Sequence, residues 1–113
     1  MCEDAHILDN AEVFGNARVF GNAYVYGNAK VYEHTEVYDN AHILNNAEVF
    51  GYARVYDNAK IYGNAKVYEE TQVYDNAEVY GDVKVSSYIL VFGNEKVYND
   101  DTLNHIKDVN ENL

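Results

Sequence analysis

The stretch "VFGNARVFGNAYVYGNAKVY", residues 13–32, repeats one six-residue unit three times: valine, an aromatic residue, glycine, asparagine, alanine and one variable residue. The same unit extends in both directions. An aliphatic residue recurs at every sixth position from Ile7 to Val97, which gives sixteen units without an insertion. Because internal repeats decide an architecture before any local signal does, this period of six is the first evidence of the fold.

Each unit predicts one short strand followed by one corner. Alanine, the variable residue and the aliphatic residue point in, out and in, because successive side chains of a strand face opposite sides. All seven glycines occupy the first corner position, and asparagine occupies the second corner position ten times. Since asparagine tolerates a left-handed backbone better than bulky residues do, we expect the second position to adopt that conformation. The pattern predicts an all-β fold.

The phrases "GNARVFGNAYVYGNAKVY" and "DNAHILNNAEVF" closely resemble the hexapeptide repeats of left-handed parallel β-helix proteins. The resemblance implies that three units form one triangular coil of 18 residues, and it covers residues 5–98 in about five coils. The left-handed sense comes from the resemblance alone, because right-handed crossovers are the general rule for parallel strands. We expect a lead-in at residues 1–4, the β-helix at 5–98 and an acidic tail at 99–113.

Coils of this length place residues 18 apart in one surface column. One such column reads Glu12, Lys30, Glu48, Lys66 and Lys84. Alternating signs suit parallel strands about 4.8 Å apart, because unlike charges then become neighbours. Thirteen of the sixteen units carry Phe or Tyr after the aliphatic residue, which predicts aromatic ladders. We interpret these ladders as mutual stacking, with a sugar-binding platform or an oligomer interface as alternatives.

The tail departs from the period and predicts a short capping helix. Asp100 or Asp101 is the expected N-cap. An apolar stripe follows at Leu103, Ile106, Val109 and Leu113. We expect this helix to cover the last coil, where the inward-facing Glu95 would otherwise meet the core, because open sheet edges need cover. The N-terminal coil has no comparable cover in the sequence, which leaves it free to pair with another chain.

Charge and cysteine content indicate which kind of partner the chain binds and in which compartment it acts. Eight basic and nineteen acidic residues give a net charge of −11, which opposes direct nucleic-acid or membrane binding and favours a protein partner with a basic surface. Cys2 is the single cysteine, so an internal disulfide is excluded and a reducing compartment is expected. The sequence shows neither a leader pattern nor an apolar stretch that could span a bilayer, so we expect a cytoplasmic protein.

Acyltransferases are the best-known proteins with this repeat, and the resemblance implies a trimer, an acyl-CoA or acyl-carrier-protein donor and a histidine base. The chain departs from their pattern, because no loop interrupts the coils and no basic cluster could hold the donor phosphates. His6 and His42 fall in one outward column, while His105 falls in the tail. Since a base needs a partner and a pocket, we expect no catalytic residue and no cofactor.

One corner column departs from the asparagine rule. It reads Asn16, His34, Tyr52, Glu70 and Tyr88, and Glu33 and Glu69 precede two of its members. If the corner keeps its geometry, a left-handed Tyr or Glu costs on the order of 1 kcal/mol. Two interpretations remain open. The turn relaxes locally, or the column forms a recognition edge of Glu33, His34, Tyr52, Glu69, Glu70 and Tyr88.

A second unusual column is acidic and consists of Asp39, Asp57 and Asp75. Stacked carboxylates could hold a hard cation such as Ca²⁺. The alternative is a set of solvated carboxylates that repel one another, and we favour it. Zinc is disfavoured because the sequence contains no cluster of cysteine and histidine.

Three classes of function fit these observations. They are a non-catalytic binding or scaffold module, a trimeric acyltransferase, and an acidic inhibitor that mimics nucleic acid, as some phage-encoded anti-defence proteins do. Residues 5–98 carry thirteen acids and seven bases, a net −6 over roughly 25 Å of axis, whereas duplex DNA carries one charge per about 1.7 Å. The charge per unit length of the prism is too low for the prism as a whole to imitate a duplex. We therefore expect a binding module, with an inhibitor of a nucleic-acid-handling protein as its most specific form.

Overall fold

The computed structural model describes residues 5–111, which contain sixteen two-residue strands and one helix. The strands are β1 (His6–Ile7), β2 (Glu12–Val13), β3 (Arg18–Val19), β4 (Tyr24–Val25), β5 (Lys30–Val31), β6 (Glu36–Val37), β7 (His42–Ile43), β8 (Glu48–Val49), β9 (Arg54–Val55), β10 (Lys60–Ile61), β11 (Lys66–Val67), β12 (Gln72–Val73), β13 (Glu78–Val79), β14 (Lys84–Val85), β15 (Leu90–Val91) and β16 (Lys96–Val97). The helix is α1 (Asp100–Glu111). The strands are short because every six-residue unit contains a corner.

The strands form three parallel sheets, because each strand pairs with the strand three positions later. Sheet A has the order β1-β4-β7-β10-β13-β16, sheet B the order β2-β5-β8-β11-β14 and sheet C the order β3-β6-β9-β12-β15. Paired residues are 18 apart in the sequence, as His6 is from Tyr24. The structure confirms the predicted parallel β-solenoid of about five coils with a short C-terminal helix. Its principal extents are 36 × 23 × 22 Å.

Small apolar side chains fill the interior of the prism, as the in-out-in pattern predicts. From the second coil to β13, the alanines and aliphatic residues of the repeat are fully buried. Thr35 and Thr71 replace alanine at two of these positions and are also fully buried. The Thr35 hydroxyl donates to the Tyr32 carbonyl at 2.9 Å, whereas the Thr71 hydroxyl has no hydrogen-bond partner within the described residues.

The first corner position carries the left-handed backbone, which corrects the expectation for the second position. All seven glycines occupy the first position with φ between 62° and 75°. Non-glycine residues there adopt the same conformation, as Asp57 does with φ 57°. The second position instead keeps its amide in the ladder, as the bond from Asn10 to the Gly27 carbonyl at 2.9 Å shows. Within residues 5–111, Tyr88 is the single second-position residue with a positive φ, 63°.

Asn99 is the N-cap of α1, so the expectation of Asp100 or Asp101 was wrong. The Asn99 Oδ1 accepts the Thr102 amide at 2.9 Å, and the Thr102 Oγ1 accepts the Asn99 amide at 3.1 Å. This reciprocal arrangement satisfies two amides that the helix itself leaves unpaired. Asp100 and Asp101 lie in the first turn, where their charges interact favourably with the helix dipole.

The apolar stripe of α1 packs on the last coil, as predicted. Leu103 and Ile106 are buried, and Val109 is half-buried. Leu113 lies outside the described residues. Burial of two large side chains stabilises the docked helix by roughly 3–6 kcal/mol before the loss of chain entropy is considered.

Polar contacts fix α1 against the open edge of the last coil. The Asn110 Oδ1 accepts the Leu90 amide at 2.8 Å, and the Asn110 Nδ2 donates to the Leu90 carbonyl at 2.9 Å. One side-chain amide thus replaces the neighbour that the edge of β15 lacks. Glu95, half-buried at the same end, lies 3.6 Å from the His105 Nε2. The helix therefore covers this end of the prism with both apolar and polar contacts.

Aromatic rings stack outside the prism and confirm the predicted ladders. One ladder consists of Phe20, Tyr38, Tyr56, Tyr74 and Phe92, with centroids 4.9 to 5.8 Å apart. Burial is the main cause that raises the pKa of Tyr56 to about 12. The charge columns form few close ion pairs. Among residues 5–111, one ion pair within 4.0 Å joins charged residues of adjacent coils, and it lies between Arg54 and Glu36 at 3.9 Å.

Candidate binding edge

The structure brings the six residues of the predicted recognition edge to one corner of the prism. We call Glu33, His34, Tyr52, Glu69, Glu70 and Tyr88 the irregular edge. This corner follows the strands of sheet B, and the 18-residue register stacks its members coil on coil. All six side chains are exposed. The other two corners carry asparagine or aspartate at the second position in every described coil.

Three aromatic side chains give the irregular edge its apolar character. The His34 and Tyr52 rings stack with centroids 4.9 Å apart and planes 9° apart. Tyr52 is 59% exposed and Tyr88 is 73% exposed, the highest values for large apolar side chains in the described part of the chain. Unlike the ladder tyrosines on the faces, these rings present most of their surface to solvent.

The three glutamates of the irregular edge differ in what they contact. The Glu33 Oε1 accepts the Gly51 amide at 2.8 Å, and the Glu69 Oε1 accepts the Ser87 hydroxyl at 2.9 Å. Glu70 makes no hydrogen bond or ion pair with any residue in the range 5–111. Two of the carboxylates therefore brace neighbouring coils, and the third is available to a partner.

Tyr52 separates two shallow depressions along this corner. The larger, about 530 Å³, is lined by Phe14, Gly15, Asn16, Tyr32, Glu33, His34, Gly51 and Tyr52. The smaller, about 290 Å³, is lined by Tyr52, Glu69, Glu70, Ser87 and Tyr88. Each depression combines an aromatic wall with a carboxylate, an arrangement suited to a long cationic side chain such as lysine or arginine.

Tyr32 is one of the residues that line the larger depression. Its pKa is raised, first by burial of the phenol and then by the negative charges of Glu48 and Glu33. Its hydroxyl donates to the Glu48 Oε1 at 3.2 Å. Tyr32 is therefore a neutral phenol at physiological pH and contributes no charge to the edge.

Backbone strain on the irregular edge is not where the sequence placed it. His34, Tyr52 and Glu70 have no left-handed backbone, so the expected cost at these positions was wrong. Glu33 and Glu69 are left-handed at the first corner position, with φ 63° and 58°, and Ser87 and Tyr88 are consecutive left-handed residues, with φ 70° and 63°. Because none of the four is glycine, each costs roughly 1–2 kcal/mol, and the coil that presents Tyr88 carries two such residues.

The acidic column lies on another corner and has a structural role. The Asp39 Oδ2 accepts the Asp57 amide at 3.3 Å, and the Asp57 Oδ2 accepts the Asp75 amide at 3.2 Å. The Asp75 Oδ2 accepts the Gly93 amide at 3.0 Å. Each carboxylate thus binds the backbone of the next coil, an arrangement that neither predicted alternative included. Within residues 5–111 no group of three or more His, Cys, Asp or Glu residues could hold a metal ion.

Asp57→Ala is expected to lower the free energy of unfolding by about 1–3 kcal/mol, because it removes a charged acceptor and leaves alanine in a left-handed conformation. Asp57→Asn is the matched control. Asparagine keeps an acceptor and tolerates this conformation, so it should stay within about 0.5 kcal/mol of the parent chain. Urea denaturation measures both values. Equal stability of the two variants would contradict the structural role, and a calcium-dependent rise in Tm that Asp57→Asn abolishes would restore the cation interpretation.

The four histidines occupy three different settings. The Tyr24 ring stacks between His6 and His42, with centroids 4.6 and 5.0 Å away. Burial, followed by the charge of Lys60, lowers the pKa of His42. His34 stacks on Tyr52, and His105 faces the carboxylate of Glu95. His42 is consequently a neutral member of a ladder at physiological pH.

Two contacts between α1 and the last coil were not predicted from the sequence. The Asn110 contacts to Leu90 and the pairing of His105 with Glu95 both depend on how α1 packs on the last coil. A weak signal was available for the first, because asparagine is a residue that can offer both a donor and an acceptor to a sheet edge.

The fold and the edge define a parallel β-solenoid that carries one irregular corner. Comparisons with protein-family models, with curated proteins and with solved structures found no match. Residues 5–111 contain no helix with the length and apolar character needed to cross a bilayer.

Proposed function

We propose that this chain is a non-catalytic protein-binding module, a left-handed β-helix of the hexapeptide-repeat type whose irregular edge binds a protein partner with a basic surface. The observation that carries the proposal is the group of solvent-exposed His34, Tyr52 and Tyr88 rings beside the Glu70 carboxylate, which pairs with no group among residues 5–111. Aromatic side chains are enriched among the residues that dominate binding energy at protein interfaces.

The scaffold supports this function by holding the edge rigid. His34 to Tyr88 spans three coil spacings, or roughly 14 Å, and the His34 and Tyr52 amides on this corner donate to the next coil at 2.8 and 2.9 Å. A preorganised edge loses little conformational entropy on binding, and tyrosine loses little because it has two rotatable side-chain bonds. The regular coils therefore act as the support, and the irregular corner provides the contact.

The charge of the chain supports a basic partner. Glu33, Glu69 and Glu70 line the irregular edge, and the whole chain carries −11. Complementary charge raises association rates and suppresses unsuitable partners more than it adds affinity. A basic surface that normally binds nucleic acid has the complementary chemistry. Inhibition of a nucleic-acid-handling protein is therefore the most specific form of the proposed function, and the partner is expected to act in the same cytoplasmic compartment.

Replacing His34, Tyr52, Glu70 and Tyr88 together by asparagine is expected to preserve folding and weaken partner binding at least about 100-fold, because several aromatic contacts are lost. The matched control replaces Asn22, Asn40, Asn58 and Asn76 by serine on a regular corner. Both variants and the parent chain are immobilised and exposed to an extract of the source cells, and the retained proteins are quantified by mass spectrometry. The partner is then purified for titration calorimetry.

The expected result is a basic protein that the parent and the control retain and the edge variant does not. Its calorimetric affinity should fall as salt rises, since charge complementarity contributes. Equal retention by all three chains would overturn the irregular edge as the binding site. A retained partner with an acidic surface would overturn the electrostatic part of the proposal.

A further inference from the structure

The N-terminal end of the prism exposes apolar residues at positions that are buried in the next coil. Ala5, Ile7, Ala11, Val13 and Ala17 are partly exposed, whereas the residues 18 positions later are fully buried. Leu8 and Phe14 border this end and are 46% and 47% exposed. A depression of about 520 Å³ lies among Ile7, Ala11, Glu12, Val13 and Phe14. This end is far from the strained coil that presents Tyr88.

Among residues 5–111, backbone groups at the same end have no hydrogen-bond partner. β1, β2 and β3 are the terminal strands of the three sheets. The amides of Glu12 and Phe14 donate to the next coil at 3.0 Å. Because successive residues of a strand turn their amide and carbonyl groups to opposite neighbours, the groups of Val13 point to the open side. Ile7 and Val19 have the same orientation in β1 and β3.

We propose that a second copy of this chain binds at the N-terminal end and forms a two-fold symmetric, head-to-head dimer. The opposite end cannot serve as the partner surface, because α1 covers it and Asn110 occupies the edge of β15. A head-to-tail stack is thereby blocked. A two-fold axis perpendicular to the prism instead joins two identical open ends, and self-complementary contacts of this kind are the commonest in protein dimers.

The pitch of the coil selects one arrangement of this dimer. Each coil rises about 4.8 Å, so β1, β2 and β3 lie at heights that differ by about 1.6 Å. If the axis passes through β2, then β2 faces its own copy while β1 faces β3 of the partner. The height of β1 in one copy then compensates for the height of β3 in the other. The distance between facing strands is therefore the same on all three sides of the prism. An axis through β1 or β3 leaves one side too wide for hydrogen bonds.

The resulting strand pairs are antiparallel and have suitable chemistry. Val13 lies opposite its own copy, and Ile7 lies opposite Val19 of the other copy. Residues paired in this way exchange two backbone hydrogen bonds. Glu12 then lies opposite Phe14 rather than opposite the second Glu12, so no like charges meet directly. The half-exposed alanines of both copies become buried between the two ends.

The first test measures the solution mass of the full chain by size-exclusion chromatography with light scattering across a wide dilution series. The expected mass is about twice the 12.9 kDa of one chain, falling to one chain on dilution. A variant with Ala11→Lys and Ala17→Lys should show half the mass of the parent, since buried lysines oppose docking. The matched control, Asn22→Lys and Asn40→Lys on an exposed corner, should remain dimeric. Circular dichroism checks that both variants are folded.

The second test determines the orientation of the two copies. Cys2→Ser removes the native thiol, and spin labels are attached at Glu12→Cys or at Lys84→Cys. A head-to-head dimer predicts strong dipolar broadening for the label at position 12 and none for the label at position 84. Four results would overturn the proposal. They are a monomer at every concentration, a trimer, a dimer that persists in the variant with Ala11→Lys and Ala17→Lys, and broadening at position 84 alone. Each of these results would leave the irregular edge unaffected, because it lies on the side of the prism.

Discussion

Ile61→Ala is expected to lower the free energy of unfolding by about 2–5 kcal/mol, because it removes a fully buried side chain from the centre of the core. Ile61 lies in β10 between Ile43 of β7 and Val79 of β13. Neighbouring coils are held apart by their hydrogen-bonded ladders, so they cannot collapse into the cavity. In a solenoid each coil contacts only its neighbours, and an interior defect weakens the contacts to both of them.

Ile7→Ala provides the matched control, because Ile7 occupies the same column in the first coil and is partly exposed. Ile7→Ala should lower the free energy of unfolding by about 1 kcal/mol, roughly half of the value for a fully buried side chain. Urea denaturation at high dilution, where chain–chain association does not contribute, measures both variants. Equal losses for Ile61→Ala and Ile7→Ala would show that the end of the prism is as well packed as its centre, contrary to the structure.

The period of six made the coil architecture predictable from sequence. One strand and one corner fit each unit, and the absence of any insertion fixes residues 18 apart as neighbours. A slip of one residue would turn Val55 or Ile61 outward, so the pattern admits one register. For the same reason the six residues of the irregular edge could be assigned to a single corner before their side-chain contacts were known.

The corner conformation was predicted for the wrong position, although the sequence contained the relevant signal. All seven glycines occupy the first corner position, which marks it as the place where a side chain is disfavoured. The frequency of asparagine at the second position drew the prediction there instead. Asp57 and Glu33 occur at the first position because their carboxylates accept an amide of the next coil. Such contacts between coils cannot be read from a local preference.

The details of the two ends and of the edge depend on tertiary packing that has no period. Asn99 replaces the expected aspartates as N-cap because Thr102 lies where it can return a hydrogen bond. On the edge, Glu69 accepts a hydrogen bond from Ser87, while Glu70 makes none with the part of the chain that the structure describes. These two glutamates are adjacent in sequence and chemically identical, so their different availability follows from the local backbone alone.

Gly51→Ala is expected to lower the free energy of unfolding by about 2–5 kcal/mol. Gly51 has φ 72°, and a methyl group there would lie 2.7 Å from the Glu69 amide nitrogen of the next coil. A left-handed alanine costs about 1–2 kcal/mol, and displacement of a hydrogen-bonded coil adds about 1–3 kcal/mol. Because Gly51 lines the larger depression of the irregular edge and directly precedes Tyr52, the same displacement should also move Tyr52 and weaken partner binding.

Gly93→Ala separates strain from crowding. Gly93 also has a left-handed backbone, with φ 62°, but a methyl group there would meet nothing within 4 Å. Its substitution should therefore cost only the conformational part, about 1–2 kcal/mol. Restriction of the unfolded chain by alanine applies equally to both sites and cancels in the comparison. Thermal and urea denaturation of the two variants measure the difference, which equals the energy of crowding against the next coil. If the two losses are the same, the spacing between coils yields freely to a methyl group, and glycine occupies the first corner position for its backbone conformation alone.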